Sequence, residues 1–509
     1  MGRVDDELRA IADADQGGPR KSVTIIGAGM AGLTAAVELE ALGHSVRVLE
    51  ASGETRGRAW THHFADGTYG EFGPMRIPEH HDYTHHYLDR CGLELRRFVT
   101  SHENLSCFYD IRGVRTRMRD APEHLYPHFD LSPQQREDPI PPKMLARAVG
   151  DTVEGLTENE RASLRTGTLA SDRLRAIDRM TMGEYLRMRC GDDATELIGA
   201  ATGLETMFDR TATMLLRDAL TATGNKFEEI VGGMDLLPRA LAKHVKGEIV
   251  LRAAVRGIHR RDDGKVDLVV DREGTTTTET ADVVLCAIPF SVLQTLDVDP
   301  PFSPSKHAAV RTLGFESSTK VLLHCRRRFW ESDHGIAGGA SQSDLLYRAM
   351  YYPSDNAVAV TEPEPSRGRF NPMYGGYVKG EFAAASAEVS AGPGVLLASY
   401  TWGQDARRLG QLPVDERVDV VTRQIARVHP EILEPGMIDD VASMFWDSYP
   451  WANGSFAELL PGQQQSLHHA STTPEGGVYF AGEHTSLDTG WIQGAVSSAL
   501  RAVQEIVSA

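Results

Sequence analysis

The chain has 509 residues, of which 41% are apolar and 24% charged, as in ordinary globular proteins of two or three domains. Its formal net charge of −18 argues against nucleic acid or an anionic membrane surface as a partner. The five cysteines are scattered and form no CxxC pair, which argues against a disulfide framework or a zinc site and favours a reducing compartment.

Residues 1–20 are polar and predict a loose leader. The next stretch, "RKSVTIIGAGMAGLTAAVELE", has two basic residues and then an uncharged run from Ser22 to Val37, which imitates a signal peptide. Its three glycines are regularly spaced, however, and charge returns at Glu38, so we expect a folded motif. No stretch approaches the roughly 18 consecutive apolar residues that span a bilayer, and we expect a cytoplasmic protein.

The first motif is a dinucleotide signature. "SVTIIGAGMAGLTAAVELEALGHSVRVLEA" predicts a strand, a glycine turn, a helix and a second strand. Gly27, Gly29 and Gly32 form GxGxxG, in which the glycines permit the turn, the approach of a pyrophosphate and close helix–strand packing. Glu50 ends the second strand, where a carboxylate can accept hydrogen bonds from ribose hydroxyls.

The middle of the chain changes pattern several times. Residues 120–145 are rich in proline and predict a connector, and residues 143–223 carry helical patterns such as "TATMLLRDALTAT". "VGGMDLLPRALAKH" predicts a glycine break and a helix. Apolar residues then alternate over residues 248–289, with turns at Asp263-Gly264 and Glu273-Gly274, which predicts an antiparallel meander.

The C-terminal part is rich in predicted strands, among them those around Lys320, Tyr351 and Tyr400. Residues 361–380 look like a long exposed insertion. The chain ends with "GGVYFAGEHTSLDTGWIQGAVSSALRAVQEIVS", which predicts a strand, a loop and a long helix. We find no internal repeat.

Three features favour FAD over NAD as the dinucleotide. Arg58 follows Glu50, and Val255 in the meander is placed to offer backbone groups to adenine. The C-terminal strand and helix return to the first motif, and a long FAD needs a second helix N-terminus for its flavin.

The stretch "FGPMRIPEHH" places Arg76 among apolar residues. A buried guanidinium costs several kcal/mol unless a carboxylate meets it. Glu71, Glu79 or Asp82 could pair with it as a structural bridge. The other candidate is the carboxylate of a substrate, which the planar guanidinium can bind through two parallel hydrogen bonds.

These motifs resemble those of the flavin-containing amine oxidase superfamily, and within it those of the L-amino-acid oxidases, including the venom type. The resemblance covers residues 21–118 and 226–509 and is weaker in the helical middle. It implies an α/β fold with a leader and three parts. These are a Rossmann-like FAD-binding domain of discontinuous segments (21–60, 226–316 and 470–509), a mixed-sheet substrate-binding domain (61–118 and 317–469) and a helical domain (119–225), after the leader (1–20).

The resemblance also implies roles at the site of reaction. Arg76 would grip the substrate carboxylate, Tyr400 of "LLASYTWGQDA" would add a hydroxyl, and Lys320 of "SSTKVLLHCRRRFWE" would hold a water near flavin N5. Gly490 and Trp491 would lie beside the substrate amine. Three of these residues also have a plainer interpretation. Lys320 could be a solvated strand lysine, Tyr400 a core tyrosine and Trp491 a packing tryptophan.

Two further aromatic residues favour an apolar or aromatic substrate side chain. Trp402 follows Tyr400 by two residues and so shares its strand face. Phe456 lies where the resemblance places an apolar side-chain contact.

The expected FAD contacts follow the same motifs. They are Gly27, Gly29, Met30, Ala31, Gly32, Glu50, Ala51, Arg58, Gly73, Pro74, Met75, Arg76, Val255, Gly482, Glu483, Trp491 and Ile492. One departure concerns Arg56-Gly57-Arg58, where the family usually has Gly-Gly-Arg. No Gly-Gly-Cys-Tyr segment for a thioether link is present, so we expect noncovalent FAD.

The sequence therefore predicts an FAD-dependent L-amino-acid oxidase that uses dioxygen and forms keto acid, ammonia and hydrogen peroxide, as a homo-oligomer, a dimer. The alternatives are an amino-acid 2-monooxygenase on the same fold, a polyamine or monoamine oxidase, and a flavoprotein without turnover. No metal is expected, because His81 and His85 of "HHDYTHH" have no third ligand placed with them.

Overall fold

The computed structural model describes residues 2–15, 18–101, 103–221, 226–361, 364–365, 377–378 and 381–509. Most of the predicted insertion over residues 361–380 lies outside these ranges, so its exposure stays a prediction. Within the described ranges, every helix is too short or too polar to cross a bilayer.

The strands form four larger sheets and four two-stranded ones within the described part of the chain. Two of the larger sheets, with their strands in spatial order, are a five-stranded sheet (Glu248–Val250, Ser45–Leu49, Ser22–Ile26, Val283–Cys286, Val478–Phe480) and a four-stranded sheet (Thr275–Ala281, Val266–Arg272, Ala254–Arg260, Asp297–Asp299). The other two are a seven-stranded sheet (Ile438–Phe445, Ser318–Cys325, Gly394–Trp402, Ala349–Tyr351, Ala340–Ser343, Phe108–Ile111, Val114–Arg117) and a three-stranded sheet (Ile77–Pro78, Phe227–Ile230, Leu95–Phe98). The two-stranded sheets are Thr61–His63 with Tyr69–Glu71, Gly314–Phe315 with Ala457–Glu458, Ala357–Thr361 with Glu381–Ala384, and Glu364–Pro365 with Tyr377–Val378.

The helices lie between and around these sheets. They are Arg3–Ala14, Met30–Ala41, Asp82–Cys91, Ala121–His124, Pro133–Arg136, Pro141–Glu154, Glu158–Ser163, Asp172–Asp178, Met182–Cys190, Asp192–Thr202, Thr213–Thr221, Leu236–Ala242, Phe290–Leu293, Pro304–Thr312, Phe329–Ser332, Ala387–Ala391, Gly403–Gly410, Val414–Ile425, Gln463–Thr472 and Ile492–Ser508.

The five-stranded sheet is parallel and carries the predicted dinucleotide motif. Strands Ser22–Ile26 and Ser45–Leu49 pair in parallel, and helix Met30–Ala41 connects them, as the sequence predicted. The C-terminal strand Val478–Phe480 joins the far edge beside Val283–Cys286. Helix Ile492–Ser508 then packs against Met30–Ala41 in one hydrophobic core. Because the strands before the two helices run in the same direction, both helices start near the same end of the sheet, where Met30 and Ile492 line one cavity.

The seven-stranded sheet is mixed and holds the predicted site residues of the C-terminal half. Strand Ser318–Cys325 is buried along its whole length and runs antiparallel to Gly394–Trp402, with Lys320 opposite Tyr400. Helices dominate residues 141–221 and pack on this sheet in a shared core. The α/β fold class with parallel, mixed-sheet and helical parts is confirmed, while the domain boundaries stay predictions.

Two local predictions, the loose leader and the extent of the meander, were wrong. Residues 3–14 form a helix rather than a loose leader, because Val4 and Ile11, seven residues apart, lie on one face and are buried against the C-terminal helix. Strands Glu248–Val250 and Val283–Cys286, at the two ends of the predicted meander, join the parallel sheet instead. The proline-rich connector contains short helices such as Pro133–Arg136, since proline is well tolerated in a first helical turn.

Candidate active site

A cavity of about 1050 Å³ runs from the dinucleotide motif to the aromatic residues of the mixed sheet. It is lined by most of the predicted contacts: Gly27, Gly29, Met30, Ala31, Glu50, Ala51, Arg58, Gly73, Pro74, Met75, Arg76, Val255, Tyr400, Trp402, Phe456, Gly482, Glu483, Gly490, Trp491 and Ile492. The structure thus gathers residues from both ends of the chain around one elongated space.

The glycine turn at one end has no room for side chains. Gly27 has φ +104°, and a Cβ on Gly32 would lie 1.9 Å from the Gly27 carbonyl oxygen. Gly32 therefore packs the helix on the turn, while Gly29 caps the helix that begins at Met30. Such a cradle at a helix N-terminus suits a pyrophosphate, because its backbone N–H groups and helix dipole attract negative charge.

Glu50 is held in place beside this turn. Its Oε2 accepts a hydrogen bond from the Ala28 N–H at 2.7 Å, and its Oε1 accepts one from the Ser52 N–H at 2.8 Å. The side chain is 7% exposed and lines the cavity. Its remaining lone pairs are available to ribose hydroxyls, which is the arrangement that a dinucleotide needs.

Arg58 and the C-terminal motif meet through Glu483. Arg58 Nη1 donates to Glu483 Oε1 at 2.7 Å, and Glu483 Oε2 accepts from the Gly490 N–H at 2.9 Å. Because Glu483 is buried, this ion pair couples the first and last segments of the chain at the middle of the cavity. Trp491 then caps the helix Ile492–Ser508, which supplies the second helix N-terminus that a flavin requires.

The departure at Arg56 is accommodated by the residue that follows it. Gly57 has φ +55°, and a Cβ there would lie 3.0 Å from Gly29 Cα, so the loop still packs on the glycine turn. The Arg56 guanidinium stacks on Trp60, 3.3 Å from the ring centroid, and pairs with Glu54 at 3.2 Å. The long side chain of Arg56 thereby packs on an aromatic ring.

Arg76 lies at the other end of the cavity, half-buried among aromatic rings. Its guanidinium carbon is 5.5 Å from the Phe227 centroid and 6.0 Å from the Phe98 centroid. Its Nη1 is 3.4 Å from the Tyr351 hydroxyl.

Two of the acids that the sequence offered as partners of Arg76 bond to other groups. Glu71 accepts from Met234 N–H and Thr61, and Asp82 accepts from Gln493 and lies near Arg3.

The predicted substrate contacts form an aromatic wall. Tyr400 and Trp402 share a strand face with ring centroids 4.7 Å apart, and Trp402 lies 6.4 Å from Phe456. Phe456 also contacts Gly490, where an added Cβ would come within 3.2 Å of its ring. Burial raises the pKa of Tyr400 to about 12, so its hydroxyl keeps its proton and can donate a hydrogen bond.

Lys320 lies behind the loop that lines the cavity. It is 1% exposed, and its Nζ donates to the carbonyl oxygens of Gly73 at 2.7 Å and Glu71 at 3.1 Å. Its ammonium is also 4.3 Å from the centroid of the Tyr400 ring. The interpretation as a solvated strand lysine is wrong, because the strand that carries it is buried on both faces.

The sequence reasoning missed four residues that complete this region: Phe227, Tyr351, Glu71 as a neighbour of Lys320, and His81. Phe227 stacks with Trp491 at 6.5 Å, and His81 packs edge-on to Trp491 at 5.0 Å. His81 therefore packs against the Trp491 ring, and His85 bonds to the Pro78 carbonyl. Only the pairing of distant strands, which sequence periodicity does not report, brings Tyr351 and Phe227 to Arg76.

Comparisons with known proteins show the family of the chain. The family model of flavin-containing amine oxidoreductases matches residues 30–507. A flavin-dependent L-tryptophan oxidase from Lentzea aerocolonigenes is 36% identical over 500 residues, which cover 96% of this chain and 98% of that protein. An L-amino-acid oxidase from Vipera ammodytes ammodytes is 30% identical over 497 residues, covering 96% of this chain and 92% of the relative.

Solved structures show the same fold at lower identity. A putrescine oxidase with bound putrescine superimposes with a TM-score of 0.72 at 20% identity, over 96% of this chain and 100% of the other. A cyclohexylamine oxidase from Brevibacterium oxydans superimposes with a TM-score of 0.70 at 19% identity, over 96% of this chain and 99% of the other.

Proposed function

The chain belongs to the flavin-containing amine oxidoreductase family, and from this premise we propose that it is an FAD-dependent L-amino-acid oxidase. It would convert an L-amino acid with an apolar or aromatic side chain to the keto acid, ammonia and hydrogen peroxide. The relatives named above act on L-tryptophan and on L-amino acids, and their similarity over nearly the whole chain supports the proposal.

One observation carries the proposal: a guanidinium, that of Arg76, stands in an aromatic end of the cofactor cavity beside two tyrosines. A carboxylate bound by its fork gains two charge-assisted hydrogen bonds in a place where little water competes. The Tyr400 hydroxyl, protonated at neutral pH, is suited to fix the rotation of that carboxylate. Polyamines and monoamines carry no carboxylate for this anchor, which makes them the weaker candidates.

The cavity suits the cofactor in three respects: it extends from the dinucleotide motif to the mixed sheet, it has a glycine cradle at one end, and the N-terminus of a second helix also lines it. When bound, FAD supplies the acceptor for the hydride that leaves the substrate α-carbon. Noncovalent binding is part of the proposal. Glu50, Arg58 and the Gly73–Met75 backbone would hold the cofactor.

The residues of the chain would act mainly by positioning. With the carboxylate held by Arg76 and Tyr400, the α-carbon and the amine fall between the Gly490–Trp491 backbone and the Gly73 loop. Such orientation is worth ~7–11 kcal/mol of a barrier of this kind. Trp402, Phe456 and Trp491 would exclude water from the amine, and Lys320 would orient a water at the loop that it hydrogen-bonds.

The proposal is tested with purified holoenzyme and a panel of twenty L-amino acids, each followed for peroxide and keto acid. We expect turnover with aromatic and large apolar substrates, L-tryptophan among them, and release of intact FAD on acid precipitation. An amide and carbon dioxide in place of keto acid and peroxide would assign the monooxygenase instead. Failure of every amino acid to bleach the flavin without oxygen would leave a flavoprotein without turnover.

Assembly as a homodimer and location in the cytoplasm belong to the same proposal. The five cysteines are free thiols, which is compatible with a reducing compartment. Sedimentation of the holoenzyme tests the dimer, and cell fractionation tests the location.

A further inference from the structure

Among the residues that the structure describes, one group of three side chains has the composition and spacing of a metal site: His334, His429 and Glu431. Each offers one ligand atom, and these three atoms lie within 4.8 Å of one another. The expectation of no metal was drawn from His81 and His85, which belong to another segment. The three residues are also absent from the lining of the cofactor cavity, so the group is separate from the candidate active site.

Two loops bring the three side chains together. His334 follows the short helix Phe329–Ser332. His429 follows the helix Val414–Ile425, and its N–H donates to the Ile425 carbonyl at 2.8 Å. Glu431 lies in the single 3-10 turn that begins directly after His429. Because His334 and Glu431 are 97 positions apart, no local spacing in the sequence could indicate the group.

His429 is held as metal-binding histidines are held. The residue is fully buried, and its Nε2 lies 2.7 Å from the Tyr352 hydroxyl, which in turn lies 2.7 Å from the Ser341 hydroxyl. The other ring nitrogen, Nδ1, is buried and has no hydrogen-bond partner in the described part of the chain. Metal-binding histidines typically bond through one nitrogen to such an outer group and through the other to the ion.

His334 and Glu431 provide the side of the group that solvent can reach. The Nε2 of His334 lies 3.1 Å from Glu431 Oε1, and the His334 and His429 ring centroids are 4.6 Å apart. Ligand atoms on a tetrahedral zinc ion are about 3.3 Å apart. The His334 and Glu431 side chains are 13% and 20% exposed, so both have room to turn toward an ion that arrives from solvent.

A plainer interpretation is an ion pair between His334 and Glu431 beside a packed His429. This interpretation explains the contact at 3.1 Å. It leaves two buried atoms, His429 Nδ1 and Glu431 Oε2, without a hydrogen bond to any described residue. Buried polar atoms in native proteins are rarely left unsatisfied, and an ion or a water is a common reason where they are. A single cation between the three side chains would satisfy both atoms.

Two arginines hold the backbones that carry the ligands. Arg115 Nη2 donates to the Val428 carbonyl at 2.8 Å, and Arg117 Nη2 donates to the His334 carbonyl at 3.1 Å. Their positive charges oppose the binding of a cation, and the Glu431 carboxylate offsets part of that repulsion. The carboxylate is therefore as necessary to the group as the two imidazoles.

We propose that His334, His429 and Glu431 bind one Zn²⁺ ion, with a water on the open side as the fourth ligand. Two imidazoles and a carboxylate suit zinc, whereas Mg²⁺ and Ca²⁺ favour sites made of oxygen ligands alone. The ion would join the loop after Phe329–Ser332 to the turn after Val414–Ile425. Its role is to stabilise the fold, because a site assembled only in the native state adds the free energy of metal binding to that state.

The test measures zinc bound to holoenzyme that has been treated with EDTA and freed of any histidine tag. Equilibrium dialysis against buffered zinc chloride gives the stoichiometry and affinity, and thermal unfolding with and without zinc gives the stabilisation. We expect one tight zinc per chain and a rise in the melting temperature. His334→Gln and Glu431→Gln should each weaken this binding by more than about 100-fold, beyond the 10- to 100-fold effect of losing an outer partner, and should abolish the rise.

Two controls separate the metal site from other histidines and from the ion pair. His259→Gln removes a histidine that lies 3.0 Å from Asp297, a pair with no third ligand among the described residues, and should bind zinc as the parent does. Tyr352→Phe keeps the ring but removes the hydroxyl beside His429 Nε2, and should weaken zinc binding about 10- to 100-fold. Co²⁺ in place of zinc should show the visible absorption of a four-coordinate ion in the parent and lose it in His334→Gln.

The inference is overturned if His334→Gln binds zinc as tightly as the parent, or if zinc leaves the melting temperature of the parent unchanged. Equal stabilisation by Mg²⁺ and zinc at the same concentration would also overturn it. Each variant is compared with its own sample in EDTA, so a small loss of stability from breaking the His334–Glu431 pair does not obscure the result. No turnover is needed for these measurements, which therefore stand whether or not the proposed oxidase activity is found.

Discussion

At the scale of single residues, Gly57 decides whether the unusual Arg56-Gly57-Arg58 loop can serve a cofactor. A Cβ at Gly57 would meet the backbone of Gly29 at 3.0 Å, whereas one at Gly67, also at positive φ, would meet nothing within 4 Å. Gly57→Ala should therefore weaken FAD binding about tenfold, the effect of ~1.4 kcal/mol of overpacking. Gly67→Ala carries a similar backbone strain and should leave FAD affinity unchanged.

The measurement is titration of apoprotein with FAD, followed by quenching of flavin fluorescence. Equal affinities for the two alanine variants would show that the contact between Gly57 and Gly29 is not what shapes the loop.

Arg76 offers a second prediction at this scale. Arg76→Lys keeps the positive charge but loses the planar fork that matches a carboxylate. Losing one charge-assisted hydrogen bond, worth ~1.5–3 kcal/mol, should lower kcat/KM for the best amino acid about 10- to 100-fold. Arg261→Lys, at an exposed turn far along the chain, serves as the control. Unchanged turnover of amino acids by Arg76→Lys would contradict the role of the guanidinium as the anchor.

At the scale of elements, His324 of the mixed sheet is hydrogen-bonded to the hairpin of Thr61–His63 and Tyr69–Glu71, which leads into the Gly73 loop. His324 Nε2 lies 2.9 Å from Asp66 in the hairpin turn, and its Nδ1 bonds to Asp439 on the neighbouring strand. Burial lowers the pKa of His324, but the hydrogen bonds and charges of Asp439 and Asp66 outweigh this and raise it above its usual value.

The sign of the pH effect follows from that raised pKa. The contribution of protonated His324 to the free energy of unfolding is complete below the histidine pKa of about 6.5 in the unfolded chain. It is lost as the pH rises through the higher pKa in the folded protein. The melting temperature of the parent should therefore fall between pH 6 and 9 more steeply than that of His324→Gln. His259→Gln removes an exposed histidine–aspartate pair and should keep the parent's slope, because water screens such pairs. Parallel melting curves against pH for the parent and His324→Gln would contradict the role of His324 in joining the hairpin to the sheet.

The elements that could be predicted are those whose pattern is local. The glycine turn, the strands that flank it, the meander turns and the C-terminal helix each follow from a period or from turn residues within one segment. The helix Arg3–Ala14 was missed because only two of its residues, Val4 and Ile11, are buried hydrophobics. The strand Glu248–Val250 was misplaced because its partner, Ser45–Leu49, is distant in sequence. A period-two alternation of apolar residues predicts a strand but does not indicate which other strand it pairs with.

At the scale of the whole molecule, the candidate site depends on segments that are far apart in the chain. The Arg58–Glu483 ion pair joins residues separated by 425 positions, and Lys320 bonds to a loop 247 positions before it. Motif spacing could predict many of the residues that line the cavity, because each motif is short. It could not predict that Tyr351 and Phe227 surround Arg76 or that Glu71 adjoins Lys320, since those contacts arise from the packing of separate sheets.

This arrangement makes folding and cofactor binding interdependent. FAD would contact the glycine turn, the Gly73 loop and the C-terminal motif at once, so that it stabilises the native state by linking three segments. FAD at 100 times its Kd should raise the free energy of unfolding by about 2.7 kcal/mol. Riboflavin lacks the pyrophosphate and adenosine that the Gly27–Gly32 turn and Glu50 are shaped to receive, and at the same concentration it should raise the melting temperature of the apoprotein far less. The comparison is made by thermal unfolding of apoprotein titrated with each ligand; equal stabilisation by both would mean that the glycine turn does not hold the phosphates.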